Sequence, residues 1–277
     1  MIPNSTVEVW LREDVGHHDV TNDVPGETTG RLVATESGVA AGLDAARAVF
    51  EYFDASVTES AAAGDELDAG QTALEVEGPA EDVLRAERVA VNVAGHASGV
   101  ATKTREAVEA ACEVDGGSGV RVAGTRKTTP GLRGVEKRAI AAGGGDTHRL
   151  DLSHMVMVKD NHIAERGLEP AVERFRERAS FATKIEVEVD DPGDAPRAAR
   201  AGADIVLLDN MTPEATARAV ELVNDAAAEL GREVRTEASG GITVETVPDY
   251  AATGVDIVSM GCLTHSAPAL DYSFRTG

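Results

Sequence analysis

The sequence predicts an α/β protein in which an N-terminal mixed α/β domain is followed by an open, incomplete parallel α/β barrel. Beyond about residue 112, six short apolar runs alternate with helical segments, a pattern typical of buried parallel strands joined by helices. A closed eight-stranded barrel usually needs 200 or more residues, and this region has about 160. A doubly wound sheet is the alternative arrangement of the same elements.

The N-terminal region carries strand and turn signals and then one long helical segment. The strand and turn signals lie at Leu32 and Ala34, at 38–42, and at Leu74 and Val76. Residues 81–111 predict a single helix that is rich in alanine and glycine. Because glycine disfavours helices, so many small residues indicate close packing of another backbone or a subunit interface.

The six predicted strands of the second region share a short run of mostly apolar residues bounded by polar or glycine residues. They lie at 120–123, 155–158, 185–189, 205–208, 234–238 and 257–260. Helical patterns lie between them, for example at 170–178 and 213–230. Strand and helix therefore alternate in the order that a parallel sheet requires.

Length and composition exclude several classes of protein. No run of 18 or more apolar residues is present, which argues against a membrane span. The first 16 residues lack the apolar stretch of a secretory signal. Two cysteines, Cys112 and Cys262, form no disulfide framework. We therefore expect a cytoplasmic protein.

The net charge is strongly negative. The chain has a formal charge of −22 and only five lysines. Such a surface repels nucleic acid and anionic membranes, so we expect neither as a partner. Few lysines with many acids favour a halophilic protein, because salt screens the self-repulsion; an acidic protein of ordinary habitat is the alternative.

The positive charge is concentrated in one stretch. Residues 121–159 hold eight lysines and arginines against three acids, a net charge of +5, so the other 238 residues sum to −27. This concentration predicts a site that neutralises several anionic groups. A charged helix face is the structural alternative.

Residues suited to anion binding or catalysis follow each predicted strand. The six strand ends carry Thr125, Arg126 and Lys127; Lys159; Glu186 and Glu188; Asp209; Ser239, Gly240 and Gly241; and Met260 and Gly261. In α/β folds the chemistry collects at the carboxyl ends of strands. Glycine-rich ends can present backbone N–H groups to phosphate, and Glu188 with Asp209 can hold Mg²⁺. Taken singly, each residue could instead serve as a helix cap or a turn.

Four strings of sequence carry a resemblance to a known family. They are GTRKTTPGLR at 124–133, EK at 136–137, GGGDTHR at 143–149 and KDNH at 159–162. Together they resemble quinolinate phosphoribosyltransferase, the carboxylating nicotinate-nucleotide pyrophosphorylase of NAD biosynthesis, and the likeness runs from about residue 11 to 273. The chain departs from the family pattern at His18 and in the loop at 237–239.

The resemblance implies a domain organisation and an assembly. It implies an N-terminal α/β sandwich over 1–106, completed by 270–277, and an open α/β barrel over 107–269. It also implies a homodimer or a multiple of dimers, in which Arg88 reaches the site of the neighbouring subunit.

The resemblance also implies residue roles. The residues that it places around the quinolinate carboxylates and the diphosphate are Thr125, Arg126, Lys127, His148, Arg149 and Lys159. Glu188 and Asp209 fall near the ribose and Mg²⁺ of phosphoribosyl diphosphate. The backbone contacts to phosphate fall at Ser239, Gly240, Gly241, Met260, Gly261 and Cys262. Of these residues, Lys127, Lys159, Glu188 and Asp209 are expected to be catalytic.

The implied reaction is Mg²⁺-dependent transfer of phosphoribosyl to quinolinate with loss of CO₂. Three alternatives remain open at this stage. A related transferase associated with molybdate transport would act on another aromatic acid without decarboxylation. Lys159 could instead form a Schiff base, as in barrel aldolases. A nucleic-acid-binding protein would use the basic stretch directly.

Overall fold

The computed structural model describes residues 2–114 and 119–277, which form two compact units. The first unit comprises residues up to Arg105, Pro130–Gly144 and Ser266–Gly277. The second comprises Glu106–Thr129 and Gly145–His265. Sequence analysis places residues 130–144 in the barrel domain, but they group with the first unit, where Glu136 contacts His96 and Arg138 pairs with Asp44.

Helices and strands follow one another along the whole chain. The first elements are α1 (Asn4–Val15), β1 (Glu27–Ala34), β2 (Gly38–Val39), α2 (Leu43–Glu51), β3 (Ser56–Ser60), β4 (Glu66–Leu67), β5 (Thr72–Pro79) and α3 (Ala80–Cys112). The next are β6 (Arg121–Ala123), α4 (Arg133–Ala142), β7 (Val156–Val158), α5 (Asp160–Arg166), α6 (Leu168–Arg178), β8 (Ile185–Val189) and α7 (Ala195–Ala201). The last are β9 (Ile205–Asp209), α8 (Pro213–Leu230), β10 (Arg235–Ser239), α9 (Val247–Ala251), β11 (Ile257–Ser259), α10 (Cys262–His265) and β12 (Tyr272–Thr276).

The first unit is built on a four-stranded antiparallel sheet in the order β12-β1-β5-β3. Its core joins Leu32 of β1 and Leu74 of β5 to Phe50 of α2, all fully buried. Burying such side chains contributes roughly 1.5–3 kcal/mol each. A second, two-stranded pair is formed by β2 and β4.

The small residues of α3 pack against another part of the same unit. A Cβ atom on Gly99 would overlap the backbone carbonyl of Pro268, and one on Gly95 would lie 2.9 Å from the Leu270 carbonyl oxygen. The segment that leads into β12 therefore lies directly on the helix. Within the described residues, this contact accounts for glycines that otherwise destabilise a helix by about 1 kcal/mol each.

The second unit is an open α/β barrel, as the sequence predicts. Its six strands are all parallel and lie in the order β6-β11-β10-β9-β8-β7. Each predicted apolar run overlaps one of these strands, and β9 and β10 each extend one residue beyond the predicted run. The edge strands β6 and β7 do not pair with each other, so the sheet remains open between them.

Residues 145–149 cross this opening and are called here the crossing segment. Asp146 forms a parallel bridge with Ala123 of β6, and its N–H donates to the Val122 carbonyl at 2.8 Å. Three residues later, the Arg149 guanidinium lies 3.2 Å from the Met157 sulfur on β7. The crossing segment therefore links the two edge strands through its own contacts.

Across residues 2–114 and 119–277, no helix combines the length and the apolar character needed to cross a membrane.

Candidate active site

The candidate site lies at the carboxyl ends of the barrel strands. Parallel strands bring these ends to one edge of the sheet. The residues placed there share a position at or just after a strand terminus: Lys159 after β7, Glu188 in β8, Asp209 ending β9, Ser239 ending β10 and Met260 after β11. The register pairs Ser239 with Asp209 on adjacent strands.

Lys159 and Glu188 form a close ion pair. The Lys159 ammonium nitrogen lies 2.5 Å from a Glu188 carboxylate oxygen. The Lys159 side chain is 44% exposed, whereas that of Glu188 is 14% exposed. The pair thus presents its cation to solvent and its acid to the barrel.

Arg126 and Arg149 bring two guanidinium groups near each other. Arg149 is buried, and the Nε atom of each arginine is buried without a hydrogen-bond partner among the described residues. Burial first, and then the positive charge of Arg126, lower the pKa of Arg149. Unpaired buried donors and mutual repulsion are both unfavourable, and a bound dianion would relieve both.

His148 lies between two buried acids. Its Nε2 atom is 2.9 Å from a Glu237 oxygen and 3.7 Å from a Glu186 oxygen. Burial lowers the pKa of His148, but its interactions with the carboxylates of Glu186 and Glu237 outweigh it and raise the pKa to about 10. Burial, and next the charge of Glu237, raise the pKa of Glu186 to about 7. His148 is therefore an imidazolium at neutral pH.

The loop after β6 places Lys127 against the chain that follows β11. The Thr125 hydroxyl accepts the Lys127 N–H at 3.0 Å, and the Lys127 carbonyl accepts the Thr264 hydroxyl at 2.6 Å. A Cβ atom on Gly261 would lie 2.9 Å from the Lys127 side chain. Glycine at position 261 therefore lets the Lys127 side chain lie across this turn.

The loop after β10 depends on left-handed backbone. Gly240 and Gly241 have φ of 100° and 64°, and Asn210 on the neighbouring loop has φ of 55°. A Cβ atom on Gly240 would overlap the Asn210 side-chain amide. The Asn210 N–H donates to the Ser239 carbonyl at 2.8 Å, which ties the two loops together.

The turn after β11 offers fewer backbone N–H groups for anion binding than the sequence predicts. The Met260 N–H donates to the Ala123 carbonyl at 2.8 Å, so this amide belongs to the sheet. The Met260 side chain is buried in the core, and the Cys262 thiol lies 3.3 Å from the Ile242 carbonyl. The Met260 N–H is therefore not available to a bound anion.

The cations of the basic stretch are divided between the two units. Arg133, Lys137 and Arg138 lie in the first unit. In the second unit, Arg121 is 61% exposed and pairs with Asp146. Arg88 also lies in the first unit; its side chain is 59% exposed and pairs with Glu87 at 3.5 Å.

Sequence reasoning missed Glu237 as a member of the site and did not connect Glu186 with His148. The only available signal was the placement of a glutamate inside an otherwise buried strand, as in β8 and β10. Such alternation is also typical of a strand with one face in water. Glu186 and Glu237 are recognisable as members of the site only from the structure, in which the crossing segment places His148 between them.

These features define an α/β-barrel protein that carries lysine, arginine and histidine side chains at or near the carboxyl ends of its strands, the charge that anionic ligands require. A model of the C-terminal domain of quinolinate phosphoribosyl transferase matches residues 100–275, and a model of the N-terminal domain matches residues 18–98. The chain belongs to the quinolinate phosphoribosyl transferase family, whose members are phosphoribosyltransferases.

Curated relatives agree with this family. The chain is 45% identical over 274 residues to a probable carboxylating nicotinate-nucleotide pyrophosphorylase of Methanothermobacter thermautotrophicus, covering 97% of each protein. It is 42% identical over 274 residues to the carboxylating nicotinate-nucleotide pyrophosphorylase of Homo sapiens, covering 97% of this chain and 90% of the relative.

Solved structures share the fold. A crystal structure of NadC from Streptococcus pyogenes superposes with a TM-score of 0.89 at 38% identity, covering 99% of this chain and 96% of that one. The nicotinate-nucleotide pyrophosphorylase of Ehrlichia chaffeensis gives a TM-score of 0.90 at 30% identity, covering 100% and 99%.

Proposed function

We propose that this enzyme transfers the phosphoribosyl group of phosphoribosyl diphosphate to quinolinate with decarboxylation. The products are nicotinate mononucleotide, diphosphate and CO₂, a step in the synthesis of NAD. Family membership supports the reaction class. The observation that carries the proposal is the pair Arg126 and Arg149, two neighbouring guanidiniums with unpaired buried Nε atoms in a protein of charge −22.

The charges of the two substrates explain why such a pocket is required. Quinolinate carries two adjacent carboxylates, and phosphoribosyl diphosphate carries a phosphate and a diphosphate. Bringing them together is opposed by Coulomb repulsion, which cations must offset. Arg126 and Arg149 suit bidentate capture of carboxylates, whereas Lys127 and Lys159 suit phosphate and carboxylate as point charges.

Glu188 and Asp209 would act on the ribose side of the reaction. As the diphosphate departs, positive charge develops at ribose C1, and the Glu188 carboxylate can stabilise it. The hard oxygen donors of Glu188 and Asp209, at the ends of adjacent strands β8 and β9, fit Mg²⁺, which when bound would neutralise the leaving diphosphate. One Glu188 oxygen is already engaged by Lys159 and one Asp209 oxygen by Asn210, so each acid offers its other oxygen.

The order of the chemical steps follows from the electronics of the acceptor. The pyridine nitrogen bonds to C1 and becomes positively charged. The ring can then accept the electron pair released when the 2-carboxylate leaves as CO₂, so ribosyl transfer precedes decarboxylation. The protein contributes mainly positioning and preorganised charge, and it forms no covalent bond with either substrate.

The remaining site residues and the assembly belong to the same proposal. The loops at 239–241 and 261–262 bind phosphate oxygens through backbone N–H groups. The enzyme works as a homodimer or a multiple of dimers in the cytoplasm, with Arg88 reaching the neighbouring subunit. Its surface charge adapts it to high salt.

The direct test is to incubate the purified protein with quinolinate, phosphoribosyl diphosphate and Mg²⁺. We expect equal amounts of CO₂ and nicotinate mononucleotide, with no product when Mg²⁺ is chelated. Nicotinate, which lacks the 2-carboxylate, is the matched control acceptor and should give little product. Formation of a nucleotide from another aromatic acid, with none from quinolinate, would contradict the proposal.

A further inference from the structure

His148 adopts a backbone conformation that is unfavourable for a residue with a Cβ atom. Its φ is 53°, in the left-handed region. Its N–H donates to a carboxylate oxygen of Asp146 at 2.7 Å. Such a conformation persists where surrounding contacts over-determine it, which directs attention to what holds the imidazole ring.

The ring is held by two strands of the barrel. Glu237 belongs to β10 and Glu186 to β8, with β9 between them in the sheet. Both carboxylates are fully buried, and both contact Nε2 of His148. The crossing segment is therefore fastened to two strands that it does not pair with.

The charges of this cluster are matched to the cationic site beside it. Both Glu186 oxygens and one Glu237 oxygen are buried without a hydrogen-bond partner among the described residues. Burying carboxylates in this way is unfavourable unless cations lie nearby. His148 supplies one, and the electrostatic attraction of both acids for Arg149 adds a second.

We infer that Glu237, together with Glu186, is a positioning residue that acts through His148 to hold the guanidinium of Arg149 in its binding orientation. The inference rests on the proposed function, since Arg149 is there assigned to the quinolinate carboxylate. Arg149 directly follows His148 in the chain, so its backbone direction depends on the strained residue before it. Releasing the imidazole lets the crossing segment relax and turns Arg149 away.

The same three side chains also present ligand-type atoms within 4.8 Å of one another, as a metal site would. A histidine whose Nε2 hydrogen-bonds carboxylates as an imidazolium has no lone pair for a metal. A proton and a metal ion are therefore alternatives at His148 Nε2, and the inference requires the proton.

The test compares two glutamate-to-glutamine variants of the full-length protein. Glu237→Gln keeps the shape but removes the charge, and Glu233→Gln is the control because that side chain is 73% exposed and pairs with Arg235 at the surface. We expect Glu237→Gln to raise the quinolinate KM by about tenfold or more, with the KM for phosphoribosyl diphosphate within about twofold of wild type. Equal rises in both constants, or no rise in either, would overturn the inference.

A spectroscopic measurement tests the same cluster without activity. In the wild type near pH 8, one histidine side chain should give the nitrogen shifts of an imidazolium, since free imidazole is neutral there. That signal should be absent from His148→Gln and altered in Glu237→Gln. If no wild-type histidine is charged at this pH, or if elemental analysis finds one equivalent of metal that Glu237→Gln loses, the inference fails, whether or not the variants fold.

The two proposals fail separately. If the wild type forms nicotinate mononucleotide while Glu237→Gln keeps the wild-type quinolinate KM, only the positioning role is lost. If the wild type forms no such product, the proposed function is lost.

Discussion

The Lys159 ammonium nitrogen and the Glu188 carboxylate oxygen lie 2.5 Å apart at the ends of neighbouring strands. Under the proposed function, these two groups serve different substrates, the cation an anionic acceptor and the acid the ribose. In the protein without substrate each neutralises the other. A substrate that draws Lys159 towards itself therefore also increases the charge that Glu188 presents to the ribose.

Replacing either of two cations should abolish turnover and leave the fold intact. We expect Arg149→Ala and Lys159→Ala each to lower kcat/KM by at least about 100-fold, the effect of removing one preorganised electrostatic group. Steady-state kinetics measure the loss, and circular dichroism with thermal unfolding checks the fold. Lys184→Ala is the control, because Lys184 directly precedes β8, is 68% exposed and pairs with Asp204. Full activity in either site variant would remove the site assignment.

Mixing two inactive variants tests whether subunits share a site. Arg88→Ala and Lys159→Ala subunits, each inactive alone, should regain about a quarter of wild-type activity when combined equally as dimers, because half the dimers then carry one intact site. Subunit exchange is confirmed by mass spectrometry of the mixed dimers. Confirmed mixing without recovery would show that Arg88 does not act across subunits, and an Arg88→Ala variant that is active alone would show that Arg88 has no role.

The raised pKa of His148 predicts how stability changes with pH. The value of about 10 in the folded state exceeds the unfolded value of 6.5. The stabilisation from this proton is therefore complete below pH 6.5, declines as the pH rises from 6.5 to 10, and is absent above that range. We expect the Tm of the wild type to fall across this window more steeply than that of His148→Gln, as measured by calorimetry. If the Tm of the two proteins falls equally with pH, the assignment of a proton to His148 is contradicted.

Two adjacent glycines offer a matched pair of substitutions in the loop after β10. Gly240→Ala should destabilise the protein by about 1–3 kcal/mol and raise the KM for phosphoribosyl diphosphate, because the added Cβ overlaps Asn210 and the backbone is left-handed. Gly241→Ala meets no atom within 4 Å, so it should show only the backbone effect. Denaturant unfolding and steady-state kinetics of both variants make the comparison. A larger loss of stability or rise in KM for Gly241→Ala than for Gly240→Ala would contradict the prediction.

High salt should increase the thermal stability and the activity of this protein. At about 1 M salt the screening length falls to about 3 Å, which weakens repulsion among the acidic groups of a chain with charge −22. We expect the Tm and the activity to rise between about 0.1 and 2 M KCl. Highest activity in salt-free buffer would exclude a halophilic enzyme.

The sequence allows prediction of the elements whose residues are contiguous and apolar. The six barrel strands and helices α3 and α8 follow from such runs, because burial in a parallel sheet or along a helix face imposes a visible period. Helix α4 was not predicted, since its amphipathic pattern includes Glu136 and Lys137, both buried. Their burial reflects partners elsewhere in the first unit, such as His96, which no local pattern shows.

The strand-end residues of the site could likewise be anticipated, because parallel strands place their ends together. The crossing segment could not. Its path depends on Asp146 pairing with β6 and on His148 meeting Glu237 on β10, contacts that span up to 89 residues along the chain. Propensity and periodicity describe neighbours in sequence, so they give no information on such pairings.

The pairing of β12 with β1 has a consequence for biosynthesis. Residues 272–276 hydrogen-bond with residues 30–34, which precede every strand of the barrel in the chain. A ribosome therefore releases every strand of the barrel before it delivers the one that completes the N-terminal sheet. Until then, the outer edge of β1 exposes unpaired backbone groups of the kind that recruit foreign strands. Strand β1 is thus translated before every barrel strand but gains its β12 partner only after all of them.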